Sequence, residues 1–215
     1  MSVAYSDVRY WNNRYSETPD STFDWYTKYS AIKELIVPRL SEKSRILVVG
    51  SGNSLLSASL YDEGYQNITN IDISDIVVEQ MNQKFADRPG MQWANMDARK
   101  LDFPSESFDV VIDKGCLDCL FTGTHSYQNV GLCLKEITRI LVPSGCYICI
   151  SYRDADHRLS HFNRDYLNWS VVHKSIPKSL LEASEDPLPA NCYHVFTCLK
   201  NERTVPLDDS DEDDD

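Results

Sequence analysis

The chain has no apolar run near the ~20 residues that span a bilayer, so no membrane helix is expected. The stretch Met1 to Tyr10 lacks a basic segment followed by an apolar one, so no secretory signal is expected there. Positive charge is in short supply: 21 Lys and Arg stand against 33 Asp and Glu, a net charge of −12. Such a surface repels the phosphates of nucleic acid, which excludes general affinity for DNA or RNA. It suits a basic protein partner, and equally plain solubility. Much of the negative charge lies in the last few residues, Asp208, Asp209 and Asp211 to Asp215, so the rest is only mildly acidic. A single domain of 215 residues, soluble and cytoplasmic, is the expectation.

The seven cysteines are an odd number, scattered through segments that read as strands and helices, so a disulfide framework is not expected. Cys116/Cys119 and Cys146/Cys149 have C-x-x-C spacing, which raises zinc. The second pair lies in a β-like run, where residues i and i+3 point to opposite faces. No metal site is expected, and the thiols read as small buried groups.

What is present is alternation. Strands are expected at Arg45–Val49, Asn67–Ile73, Met91–Asn95, Phe108–Ile112 and Cys146–Tyr152. Helices are expected at Asn53–Glu63, Asp75–Ala86 with Ser74 as its cap, and Tyr127–Leu141. Val142-Pro-Ser-Gly145 reads as a break. Two late strands, Trp169–Ile176 and Cys192–Lys200, can pair as antiparallel neighbours. This pattern predicts an α/β domain over 41–200, its mostly parallel sheet covered on both faces. An aromatic-rich segment, 1–40, precedes it and an acidic tail, 201–215, expected to be disordered, follows.

The candidate chemistry sits at strand ends. Gly50-Ser-Gly52 follows the first strand and opens a helix, where glycines let the backbone approach a ligand and free N–H groups face it. A pyrophosphate-binding G-x-G-x-x-G would need glycine at position 55, where this chain has Leu55; this favours a nucleoside cofactor without a pyrophosphate. Asp72, 22 residues after Gly50, can accept ribose hydroxyls; the lesser alternative is a solvated acid that starts a helix. Asp97-Ala98 follows the third strand, where an acid can receive an adenine amino group. Phe108-Asp-Val-Val-Ile-Asp-Lys-Gly115 ends the fourth. Tyr10, Trp11, Tyr15, Phe23, Trp25, Tyr26 and Tyr29 crowd the amino-terminal segment, as a cation-attracting wall or as an apolar lid.

Taken together, Tyr10-Trp11-x-x-Arg14-Tyr15, Phe23-Asp24-Trp25-Tyr26, Gly50-x-Gly52-Asn53-Ser54, Asn70-Ile71-Asp72-Ile73-Ser74 and Asp113-Lys114-Gly115-x-Leu117-Asp118 resemble the lysine methyltransferases of translation elongation factor 1-alpha. The resemblance covers about residues 8–155 and implies a Rossmann-like, seven-stranded class I methyltransferase sheet with an antiparallel last strand. It implies S-adenosyl-L-methionine as cofactor, contacted by Trp11, Tyr15, Trp25, Gly50, Gly52, Asp72, Ile73, Asp97, Ala98 and Lys114. A Lys114 ammonium would repel the donor sulfonium, so Lys114 is expected to offer its backbone or to reach the cofactor's carboxylate. Asp113 and Asp118 could orient the acceptor amine or take its proton; equally, they could cap loops. The implied activity is protein-lysine methylation by a monomer or weak dimer. A small-molecule methyltransferase and a non-catalytic binding protein on the same scaffold remain as alternatives.

Overall fold

The computed structural model describes residues 5–177 and 192–202. Seven strands form one sheet: β1 (Ile46–Val49), β2 (Ile68–Asp72), β3 (Met91–Asn95), β4 (Phe108–Lys114), β5 (Leu141–Ser151), β6 (Trp169–Pro177) and β7 (Cys192–Lys200). Their order across the sheet is β3-β2-β1-β4-β5-β7-β6. β7 lies between β5 and β6 and is antiparallel to both. The other neighbouring pairs are parallel. This is the Rossmann-like, mostly parallel sheet with an antiparallel last strand that the motifs imply.

Among the described residues there are seven α-helices: α1 (Val8–Glu17), α2 (Tyr29–Ile36), α3 (Leu56–Asp62), α4 (Asp75–Lys84), α5 (Cys116–Leu120), α6 (Ser126–Ile140) and α7 (Ala155–Phe162). α1 to α4 place Trp11, Ile32, Leu60 and Val77 in one apolar layer. Leu117, Val130, Ile137 and Phe162 from α5 to α7 fill the layer on the other face. β1, flanked by β2 and β4, is buried at every position, as a strand covered on both faces must be. On α6 the stripe Val130, Leu134, Ile137 is sealed against the sheet, each side chain contributing roughly 1.5–3 kcal/mol. The Ser74 hydroxyl accepts from Val77 N at 3.4 Å and caps α4 as expected, with Asp75 in its first turn.

Six elements differ from the sequence expectation. α3 begins at Leu56 rather than Asn53, because the Asn53 and Ser54 side chains bond the amino-terminal segment instead. β5 begins at Leu141, with Val142–Gly145 inside it rather than forming a break. The pairing with β4 shifts register between Phe108 and Val110, and Ser144 takes φ +63°; Pro143 is accommodated at that irregularity. The amino-terminal segment contains α1 and α2, which its aromatic content did not announce. Finally, α5 and α7 are short helices in stretches the sequence reading left unassigned.

Cys146 and Cys149 belong to opposite apolar layers of the molecule, as the strand geometry predicts. Among the described residues, no helix is long and apolar enough to cross a membrane. The tail from residue 203 onward, expected to be disordered, lies outside the described residues.

Candidate active site

Chain order reverses between β1 and β4, and a crevice opens beyond their carboxyl ends. Gly50 and Gly52 line it with φ of +58° and +51°, a region costly for residues with a Cβ. A Cβ on Gly50 would stand 2.5 Å from that of Cys116, so this glycine lets α5 close against the loop. Asp72 organises the loop: its Oδ2 accepts from Gly52 N at 2.9 Å and its Oδ1 from Ser74 N at 2.9 Å. Burial pushes its carboxyl above the ordinary range, and the N–H donors partly offset this. Each oxygen keeps acceptor capacity for a hydroxyl.

At the same end, Asp97 and Ala98 line the cleft beyond β3, with Ile73 nearby. Arg99 Nη2 pairs with Asp97 Oδ2 at 2.6 Å, and Arg99 Nε and N reach Oδ1 at 2.9 Å. Burial opposes ionisation of Asp97, but these bonds outweigh it and hold its carboxyl low.

The amino-terminal segment roofs the cleft. Trp11 and Tyr15, one helical turn apart on α1, stack with ring centroids 5.9 Å apart. Trp25 meets Trp11 edge-on at 6.2 Å, and the Arg14 guanidinium sits 5.4 Å over Trp25. Three latches hold this roof down. Asn53 Nδ2 donates to Ser21 O at 2.9 Å. The Ser54 hydroxyl donates to Asp24. Lys114 Nζ donates to Trp25 O at 2.9 Å and pairs with Asp24 at 3.1 Å. Burial lowers the Lys114 pKa, and Asp24 draws it back up. The ammonium is thus committed to the roof.

The two candidate acids lie differently. Asp113 is fully buried and lies outside the cleft lining. Its carboxylate accepts from Cys116 N at 2.9 Å, Leu117 N at 3.1 Å and the Tyr147 hydroxyl at 3.0 Å, which caps α5. Burial, and then the Asp118 charge, push its pKa up to about 7. Asp118 does line the cleft, in a buried ion pair with Arg158. The structure therefore brings together every sequence candidate except Asp113. Sequence reasoning missed Asn53 and Ser54 as latches, and gave no role to Ser51, Tyr152 or Arg158. The only signal for the latches was their presence in the Gly-x-Gly-Asn-Ser motif.

A family profile described as a methyltransferase domain matches residues 47–149. The chain is 37% identical over 178 residues to mouse EEF1A lysine methyltransferase 4, covering 79% of this chain and 70% of that protein. The chain belongs to the eEF1A lysine methyltransferase family. It is also 32% identical over 229 residues to the mouse eEF1A lysine and N-terminal methyltransferase, covering 96% of this chain but 32% of that much longer protein. The fold aligns with a solved Burkholderia thailandensis 1,6-didemethyltoxoflavin-N1-methyltransferase holding S-adenosylhomocysteine, at a TM-score of 0.66 and 15% identity. That alignment covers 94% of this chain and 92% of the other.

The eEF1A methyltransferase family uses S-adenosyl-L-methionine, and the residues present fit it. The two left-handed glycines make a cradle that side chains would fill. Ser51 Oγ, in the cleft wall, is buried with no hydrogen-bond partner among the described residues, so a polar ligand group would satisfy it. Asp72 and Asp97 supply acceptors for a nucleoside.

Proposed function

We propose that the protein transfers a methyl group from S-adenosyl-L-methionine to a lysine side chain of eEF1A. The observation that carries this reading is a single continuous cleft. Asp72 and Asp97 line it beyond β2 and β3, and Tyr26, Tyr152 and Asp118 line it on the β4 and β5 side of the sheet. A nucleoside donor fits the first part, and an extended amine side chain can enter at the second.

In this reading Asp72 holds the ribose hydroxyls, Asp97 the adenine amino group, and Ile73 and Ala98 pack beside the base. Gly50 and Gly52 admit the methionine part, with Trp11, Tyr15 and Trp25 above it. Lys114 serves by fastening the roof. The bound cofactor supplies an electrophilic methyl on a sulfonium, and positioning of the amine beside it accounts for most of the catalysis. A lysine amine must lose its proton first, which at pH 7 costs about 4.6 kcal/mol from a pKa near 10.4. Desolvation in an aromatic channel lowers that cost. Asp113 acts as the cap of α5, and Asp118 acts through its neighbours.

The division into an amino-terminal roof (1–40), a catalytic domain (41–200) and an acidic tail (201–215) belongs to the same proposal. So do a cytoplasmic location, a monomer or weak dimer, and no direct contact with nucleic acid. Recombinant protein incubated with methyl-labelled donor and eEF1A tests the reading. Label on one lysine, lost when that lysine becomes arginine, is the expected result. Label only in small molecules would favour the small-molecule methyltransferase. Donor binding without transfer would point to a binding protein.

A further inference from the structure

Tyr26 occupies the part of the cleft that the cofactor contacts leave over. It has φ +67°, rare for an aromatic residue and costly enough that the surroundings must impose it. Its ring lies against Gly115, where a Cβ would come within 3.1 Å of the ring edge. Tyr193 stacks on it at 5.2 Å, and Tyr152 meets it at 5.7 Å. The side chain is therefore fixed on several sides, yet it still forms part of the cleft wall.

The Tyr26 hydroxyl donates to Asp118 Oδ2 at 2.8 Å. Asp118 is otherwise saturated. Tyr152 N donates to Oδ2 at 3.2 Å, the Ser151 hydroxyl donates to Oδ1 at 2.7 Å, and the buried Arg158 guanidinium also bonds Oδ1. Four donors fill the roughly four acceptor positions of a carboxylate, and Arg158 balances its charge. Asp118 thus has no acceptor position left for a substrate N–H. The phenol differs: its one proton is committed to Asp118, which leaves its oxygen lone pairs to accept. Burial, and then the Asp118 charge, push its pKa well above the ordinary value, so it stays a neutral hydroxyl.

We propose that Tyr26, with Tyr152 and Trp25 beside it, forms a subsite for a primary alkyl amine, and that the Tyr26 hydroxyl oxygen accepts an N–H of that amine. The inference rests on the lysine methyltransferase reading and names the residue that aims the acceptor. Asp118 and Arg158 act as positioning residues: they engage the phenol's proton and so leave its oxygen as an acceptor. The amine nitrogen keeps its own lone pair free for the methyl carbon. The aromatic faces favour a cationic side chain on entry.

Tyr26→Phe removes only the hydroxyl. The expected result is a loss of about tenfold or more in kcat on eEF1A, with the cofactor Kd from calorimetry kept within about twofold. Unchanged kcat, or a cofactor Kd that weakens in step with kcat, overturns the proposal. Wild-type enzyme that labels no lysine overturns both this proposal and the reading beneath it, whereas labelling by wild type and Tyr26→Phe alike overturns this one alone. If Tyr26→Phe fails to fold, the wild-type side chain is read directly, as 3-fluorotyrosine placed at position 26. Its fluorine resonance should shift with a peptide carrying the acceptor lysine and stay still when norleucine replaces that lysine. A resonance unmoved by lysine overturns the proposal.

Discussion

The Tyr15 hydroxyl stands 2.7 Å from the point a Cβ on Gly52 would occupy. The roof of the cleft and the loop beneath it are fitted to each other at this contact. Gly52→Ala must strain the backbone at φ +51°, by roughly 1–2 kcal/mol, and also push Tyr15 aside. We expect weaker cofactor binding and a lower Tm. Tyr15→Phe in the Gly52→Ala background should restore part of the affinity. A double-mutant cycle by calorimetry checks this, and strictly additive effects would show that the hydroxyl is not the obstacle.

Asp72→Ala should weaken cofactor binding roughly 10- to 150-fold, the size of losing charge-assisted bonds worth about 1.5–3 kcal/mol. It also deprives Gly52 N and Ser74 N of their acceptor, so the loop should loosen in the free protein too. Calorimetry with wild-type affinity for Asp72→Ala would exclude the ribose assignment.

Lys114→Met removes the amine that holds Trp25 O and Asp24. Breaking a buried pair costs about 3–5 kcal/mol when the partner is left uncompensated; here the Ser54 hydroxyl still serves Asp24, so the lower end is expected. The roof should open more often. Limited proteolysis near residues 18–28 should become faster, and saturating cofactor should slow it again. Equal proteolysis rates in wild type and variant would rule out the latch.

Asp113 gives a pH signature. Its folded pKa, about 7, is above the ordinary carboxylate value, so between those two pH values the native state binds more protons than the unfolded chain. Its contribution to stability is therefore complete in acid and is lost as pH rises through about 7. Asp113→Asn lacks this titration. The variant should gain on wild type as pH climbs from about 5 to 8, measured by urea unfolding at each pH. A constant difference across that range would remove the assignment.

Much of the fold was legible because it rests on short apolar runs with glycines and acids at their ends. Ile46–Val49 and Phe108–Ile112 could hardly be anything but buried strands, and Asp72 follows from the end of such a run. The amino-terminal helices were not legible: α1 buries only Trp11 and Tyr15 among its ten residues, too little for a clear stripe. Val142–Gly145 misled because proline and glycine usually end an element, whereas here a register shift absorbs them. In the site, the acids proposed to hold the cofactor, Asp72 and Asp97, were visible because strand ends announce them. The surroundings of Asp118 were not, since Tyr26, Ser151 and Arg158 converge on it from a loop, a strand and a helix and no spacing connects them.

Two contacts of the roof join distant parts of the chain. Trp25 and Lys114 are 89 positions apart, and Tyr26 and Asp118 are 92. Asn53 and Ser54 hold the roof at shorter range, but its fastening is incomplete until the fourth strand and the helix after it exist. Closing so wide a loop is entropically uphill until the sheet supplies its contacts. The cofactor pocket is thereby a late product of folding, complete only when the central sheet has assembled. Its ligand cannot template the early steps. It can only hold the finished protein by mass action, which should appear as slower unfolding with little change in the folding rate.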